Sequence, residues 1–164
     1  MTRLTFSVPG DPTGKGRPRV CRNATFTPAK TKAYQGLVRA AFACAYPKLV
    51  PSPLREPSLH EGPVRVEIVA YYRRPKSHYG TGKNAGRIKQ SAPVWPLVKP
   101  DFDNVEKAIC DALNGLAYSD DSQIVDSHFL KVYQIQGAEP CVMVSLYFME
   151  QETIADHAKK GEHL

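Results

Sequence analysis

Apolar and polar positions alternate or recur in a few well-marked stretches of the chain. Leu4, Phe6 and Val8 alternate with Thr5 and Ser7, which predicts a strand over residues 3–8 with one buried face. Tyr34, Leu37, Val38, Ala41, Phe42 and Ala45 recur at helical spacing and predict an amphipathic helix over about 30–46, ending before Pro47. Val64, Val66, Ile68, Ala70 and Tyr72 alternate with Arg65 and Glu67, a second strand. Val105, Ala108, Ile109, Ala112, Leu113 and Leu116 form the apolar face of a second helix, with Asp103 as its N-cap, Glu106 completing a capping box and Asn114-Gly115 as its stop. Ile124–Tyr133 reads as a strand of imperfect alternation and Val142–Phe148 as a cleaner one, with Gln134–Pro140 joining them as a hairpin. The order β-α-β-α-β-β predicts an α+β fold: one domain over residues 1–150, a mixed sheet of about four strands against two main helices, then a polar tail over 151–164.

Between these elements lie three segments without period. Residues 10–28 are rich in Gly, Pro and Arg but do not form a nucleotide-binding P-loop. Gly10 stands one residue too close to Gly14-Lys15, and Gly16 occupies the place of the magnesium-binding Ser or Thr. No nucleotide cofactor is expected. The segment reads as an arm that follows a phosphate backbone, with Lys15, Arg17, Arg19 and Arg22 available to it. Residues 47–63 carry five prolines and read as a connection. Residues 73–98 hold Arg73, Arg74, Lys76, Lys83, Arg87 and Lys89 with Tyr79 and Trp95 interleaved, the make-up of a mobile arm that orders on nucleic acid.

Charge sharpens that reading. Residues 1–100 carry a net +14 and residues 101–164 a net −8, which together give the chain its +6. Pro12–Arg55 holds nine Lys and Arg without an acid, and Ile68–Pro100 seven more, a field that attracts a polyanion by counterion release. No apolar run approaches the roughly 20 residues of a membrane span, and the N-terminus lacks a signal-peptide pattern, so a cytoplasmic protein is expected. The four cysteines are widely spaced, without a C-x-x-C pair, and read as free thiols.

Against this basic background stands Lys99–Asp126, KPDFDNVEKAICDALNGLAYSDDSQIVD. Asp101 and Asp103 sit two residues apart at the start of the second helix, and Asp103, Lys107 and Asp111 share its polar side at i, i+4, i+8. Two carboxylates held together repel, and a helix N-terminus relieves only about 0.3–1 kcal/mol of that. A divalent cation relieves more, and an oxygen-only donor set without His or Cys suits Mg²⁺, with Mn²⁺ as a substitute. Asp120 or Asp121 can add a third carboxylate, and Lys107 can place positive charge on a phosphodiester under attack.

The pattern D-x-D-N-x-x-K-A-x-x-D-A-L-N-G followed by Y-x-D-D-S-Q-I-V resembles the RusA family of Holliday junction resolvases, as does the earlier GKGRPRV…TFTPAKTKAY of its phage and prophage members. The resemblance spans residues 8–148. It implies a homodimeric, Mg²⁺-dependent endodeoxyribonuclease that cuts branched DNA, the four-way junction, with Asp101, Asp103 and Asp121 as catalytic metal ligands and Lys107 as the essential lysine. Asp120 and Asp126 stand as possible helpers. Two rival readings use the same residues: a basic DNA-binding protein without catalysis, and a flap or RNA nuclease with the same acidic site.

Overall fold

A computed structural model describes residues 1–17, 19–21, 24–49, 59–154 and 156, with the backbone alone for 19–21, 24–25 and 47–49. Its main sheet has four strands in the order β1 (Thr2–Pro9), β6 (Cys141–Phe148), β4 (Val64–Tyr72) and β5 (Ile124–Tyr133). A small antiparallel pair, β2 (Arg19–Cys21) and β3 (Ala24–Phe26), lies in the basic N-terminal segment. Two helices, α1 (Ala29–Leu49) and α2 (Phe102–Leu113), pack against each other, α1 also against β1 and α2 against β5. The α+β architecture with a mixed four-stranded sheet is the one the hydrophobic pattern predicts.

Its connectivity differs at one point. β5 and β6 do not form a hairpin: β5 pairs in parallel with β4, and β6 enters antiparallel between β1 and β4. The physical reason lies in the two strands' own patterns. β6 buries Val142, Val144, Ser145 and Leu146 and is suited to an inner position. β5 has one neighbour and leaves half of its ten residues exposed, with Val125 64% accessible, which is why its alternation is weak. Gln134–Pro140 therefore steps across the end of β4, tied down by the Gln134 N–H to Tyr72 O (2.9 Å) and the Gly10 N–H to Pro140 O (3.0 Å).

β4 joins the halves of the core. Val64, Val66, Ile68 and Ala70 are fully buried beneath Val105, Ala108, Ile109, Ala112 and Leu113 of α2 and Val38 and Phe42 of α1. Phe42 meets Phe6 edge-on at 5.9 Å. α1 runs to Leu49, past Pro47 where an end was expected. A proline so near the C-terminus removes only one backbone hydrogen bond, and the long helix before it carries the turn through. Among the described residues no helix is long and apolar enough to cross a membrane.

The basic segment after β4 is ordered through its own contacts, in contrast to the mobile arm its composition predicts. It forms 3-10 turns at Lys76–His78 and Gly82–Asn84. Gln136 clasps it with bonds to Gly86 O (2.9 Å) and from the Ile88 N–H (3.0 Å), and the Tyr133 N–H reaches Val94 O (2.9 Å).

Because Ile68 lies fully buried on an inner strand, Ile68→Ala is expected to cost about 2–5 kcal/mol in denaturant-measured stability. A loss below about 1 kcal/mol would contradict the placement of β4 at the centre of the core.

Candidate functional site

The site begins where the chain leaves Pro100. Tyr72 Oη donates to Pro100 O (2.9 Å), Lys131 Nζ donates to the same carbonyl (3.1 Å) and to Val98 O (2.6 Å), and the Lys131 ammonium lies 4.8 Å from the centre of the Tyr72 ring. This bracket delivers Asp101 to the start of α2 in extended conformation. Asp101, rather than Asp103, is the N-cap residue, and its carboxylate makes no capping bond; its backbone carbonyl accepts from the Val105 N–H (3.2 Å). Glu106 does not close a capping box either, because it accepts from Ser127 Oγ on β5. Asp103 sits in the first turn and is exposed, like Asp101. Lys107, one turn on, is exposed and forms no ion pair among the described residues, so its i, i+4 spacing from Asp103 does not yield one.

Asp120 and Asp121 part company in the turn before β5. A 3-10 turn spans Asp121–Gln123, and Asp120 caps it by accepting from the Ser122 N–H (2.9 Å). Hydrogen bonds from Ser122 hold the Asp120 carboxyl below the usual range. Gln123 locks the turn from the other side. Its Oε1 accepts from the N–H groups of Ser119 (2.8 Å) and Asp120 (3.0 Å), while its Nε2 donates to His60 O and Gly62 O, both 2.9 Å. The Asp121 carboxylate is exposed and has no hydrogen bond or ion pair among the described residues.

The two ends of the acidic stretch lie at opposite ends of α2. Burial, and then the charge of Asp101, push the Tyr72 hydroxyl up to about 12. The charge of Asp121 bears instead on Cys110, pushed up to about 12 chiefly by burial, and on Tyr118, whose buried hydroxyl donates to Cys110 O (2.9 Å). Among the described residues no three Asp, Glu, His or Cys side chains gather closely enough to enclose a metal ion. Mg²⁺ does not demand such a cage, since one or two carboxylates with water and phosphate oxygens suffice. The exposed Asp101–Asp103 pair, oxygen-only and unneutralised, fits that donor set.

The N-terminal arm crosses this helix. The Lys15 N–H donates to Asn104 O (2.8 Å) and Lys15 Nζ pairs with Asp111. The Gly16 N–H donates to Thr31 Oγ1 on α1 (3.0 Å). A Cβ on Gly14 would stand 3.0 Å from Pro100 Cβ and 3.1 Å from Asn104 Cβ, and one on Gly16 would stand 2.9 Å from Pro28 Cγ. A side chain at Gly16 would force the Pro28 ring to shift, and one at Gly14 would be tight against Pro100 and Asn104.

The other predicted DNA contacts are dispersed. Arg17 and Lys76 are exposed. Arg73 lies between Asp11 (3.4 Å) and Glu139 (3.6 Å). Arg74 is engaged in holding the loop, donating to Gln134 O and Pro93 O (both 2.8 Å) with its guanidinium 5.2 Å from the centre of the Tyr133 ring. Arg19 is described in backbone only, and Arg22 lies outside the described residues. Two lysines not singled out in the sequence, Lys30 and Lys99, line a cleft together with Asp101 and Asn104. Nothing in their local pattern marks them, because they meet only when the starts of α1 and α2 are brought face to face.

The family model described as Endodeoxyribonuclease RusA matches residues 9–147. The chain is also similar to a protein of Bacillus subtilis (strain 168) that bears the name uncharacterized protein YqaN, at 36% identity over 150 residues, covering 89% of this chain and 96% of that protein.

Two consequences of this geometry can be measured. Gly14→Ala and Gly16→Ala should each lower stability by about 1–3 kcal/mol through overpacking; unchanged denaturation midpoints would show that the arm does not press on the two helices. Asp120→Ala should lower the melting temperature while Asp121→Ala leaves it in place. Equal melting temperatures would remove the structural distinction between them.

Proposed function

The chain belongs to the RusA family of endodeoxyribonucleases, and on that premise we propose that it is a Mg²⁺-dependent, structure-specific endodeoxyribonuclease that resolves four-way DNA junctions as a homodimer. One observation carries the reading. Of the acids on α2 and around the turn before β5, Glu106, Asp111, Asp120 and Asp126 each have a partner in Ser127, Lys15, Ser122 and Arg65. Asp101, Asp103 and Asp121, with Lys107, have none among the described residues and are exposed. Uncompensated acids on a chain of net +6 weaken its attraction for DNA unless a cation joins them.

In this reading Asp101 and Asp103 hold Mg²⁺, with Mn²⁺ as a substitute. When bound, the ion lowers the pKa of a coordinated water and offsets charge on the phosphate. Of the adjacent pair Asp121 is the one left free, since Asp120 is bound up in its turn. It lies at the far end of α2 from Asp101 and Asp103, so as a third carboxylate it would have to come from the second copy of the dimer. Lys107, one helical turn from Asp103, adds positive charge where a phosphodiester oxygen becomes more negative in the transition state. Arg17 and Lys76, both exposed, meet flanking phosphates. Arg73, held between Asp11 and Glu139, and Arg19 and Arg22, whose side chains lie outside the described residues, are proposed for the same role. A near-two-fold junction cut at paired positions calls for two copies of the site, which an isologous dimer supplies.

Asp101→Asn and Asp103→Asn are expected to bind a synthetic four-way junction as wild type does and to lose Mg²⁺-dependent cleavage by at least about 100-fold, the scale of removing an essential electrostatic group. Full cleavage by either variant would remove the carboxylates from the mechanism. Asp121→Asn in the same assay reports whether that residue belongs with them.

A further inference from the structure

The starts of α1 and α2 face each other across a cleft of about 430 Å³. Its walls are Pro12, Thr13, Gly14 and Lys15 of the N-terminal arm, Lys30 of α1, and Lys99, Pro100, Asp101 and Asn104 at the entry to α2. The lining carries three ammonium groups and one carboxylate, a net +2. Lys30 and Lys99 are exposed and have no ion-pair partner among the described residues, whereas Lys15 is oriented by Asp111. Lys30 and Lys99 thus leave two unpaired positive charges beside Lys15 at the cleft.

The backbone reinforces the charge. α2 starts without a side-chain cap, so its first N–H groups remain open to an anion. α1 starts one residue before Lys30, which adds a second positive helix end at the same cleft. Behind the wall, one turn along α1 from Lys30, the Tyr34 side chain is 4% accessible. Its hydroxyl lies against the Thr13 backbone without a well-formed hydrogen-bond partner. That hydroxyl is closed off behind the wall and is not part of the cleft's lining.

We infer that this cleft is a phosphate subsite, in which Lys15, Lys30 and Lys99 hold a backbone phosphodiester of the DNA strand next to the one presented to Asp101 and Asp103. The inference rests on the nuclease reading for the identity of the strand, but not for the chemistry of the subsite. Asp101 lies on the shared wall between the two. A strand fastened by one phosphate in the cleft has its next phosphate positioned at the carboxylate pair, so the subsite sets register as well as affinity. The crossing at Gly14 is tight, since a Cβ there would press on Pro100 and Asn104 of the same wall.

The test is equilibrium binding of a four-way junction across a KCl series without divalent metal, comparing wild type, Lys30→Gln/Lys99→Gln and Lys30→Arg/Lys99→Arg. The glutamine pair should lower the slope of log K against log[KCl] by about 1, the loss of one phosphate contact, and the arginine pair should restore it. A glutamine pair with the wild-type slope overturns the subsite, as does an arginine pair that fails to restore it. Addition of inorganic phosphate separates the sources: competition that disappears in the glutamine pair shows that the cleft takes phosphate itself, and a wild type indifferent to phosphate restricts it to the strand. Nicking by wild type in Mg²⁺ is scored independently. Nicking with an unchanged slope removes the subsite and leaves the nuclease; a lowered slope without nicking removes the nuclease and leaves the subsite.

Discussion

Burial of one face of α2 is the constraint from which the site follows. Val105, Ala108, Ile109, Ala112 and Leu113 have no accessible surface, and burying side chains of this kind is worth on the order of 1.5–3 kcal/mol for each of the larger ones. Because that face is fixed against the sheet and α1, the polar side carrying Asp103, Lys107 and Asp111 has a single orientation. Rotating the helix to let Asp103 or Lys107 find partners would expose the core. The acids at its start are therefore held apart from neutralising groups by packing energy rather than by any interaction of their own.

The arm from Pro12 to Arg17 uses the same helix as its support. Gly14 lies directly on Pro100 and Asn104, Lys15 is bonded at its backbone and paired at its tip, and Gly16 is fastened to α1. A basic segment that would otherwise sample many positions is thereby laid along the acidic one. Attraction over the whole positive half of the chain brings a polyanion near, and in the proposed reading contact geometry at α2 sets which phosphate meets which carboxylate.

Much of the fold was legible because its inner elements obey simple periods. β1, β4 and β6 alternate cleanly since each buries one face, and α2 shows its stripe for the same reason. β5 was legible as a strand but not as an edge, and the short Gln134–Pro140 segment imitated a hairpin because a local pattern carries no information on which strand will be inserted later. The N-cap was displaced by two residues: Asp103 has the better local signature, yet the bracket of Tyr72 and Lys131 on Pro100 starts the helix earlier. At the site, the aspartates and Lys107 stood out through spacing and charge. The choice between Asp120 and Asp121 did not, because it depends on Gln123 reaching back to His60 and Gly62, contacts some 60 residues away in sequence. The roles of Arg74 and Lys15 depended likewise on partners that only the folded chain supplies.

The central claim is that uncompensated carboxylates at the start of α2 belong to a metal-dependent junction nuclease. It is tested most directly by incubating the wild-type protein with a mobile four-way DNA junction, with and without Mg²⁺, and mapping cuts on all four strands. The account predicts paired nicks at symmetry-related positions on two opposing strands, appearing only with the metal. Intact strands under both conditions, or cuts indifferent to Mg²⁺, would contradict it.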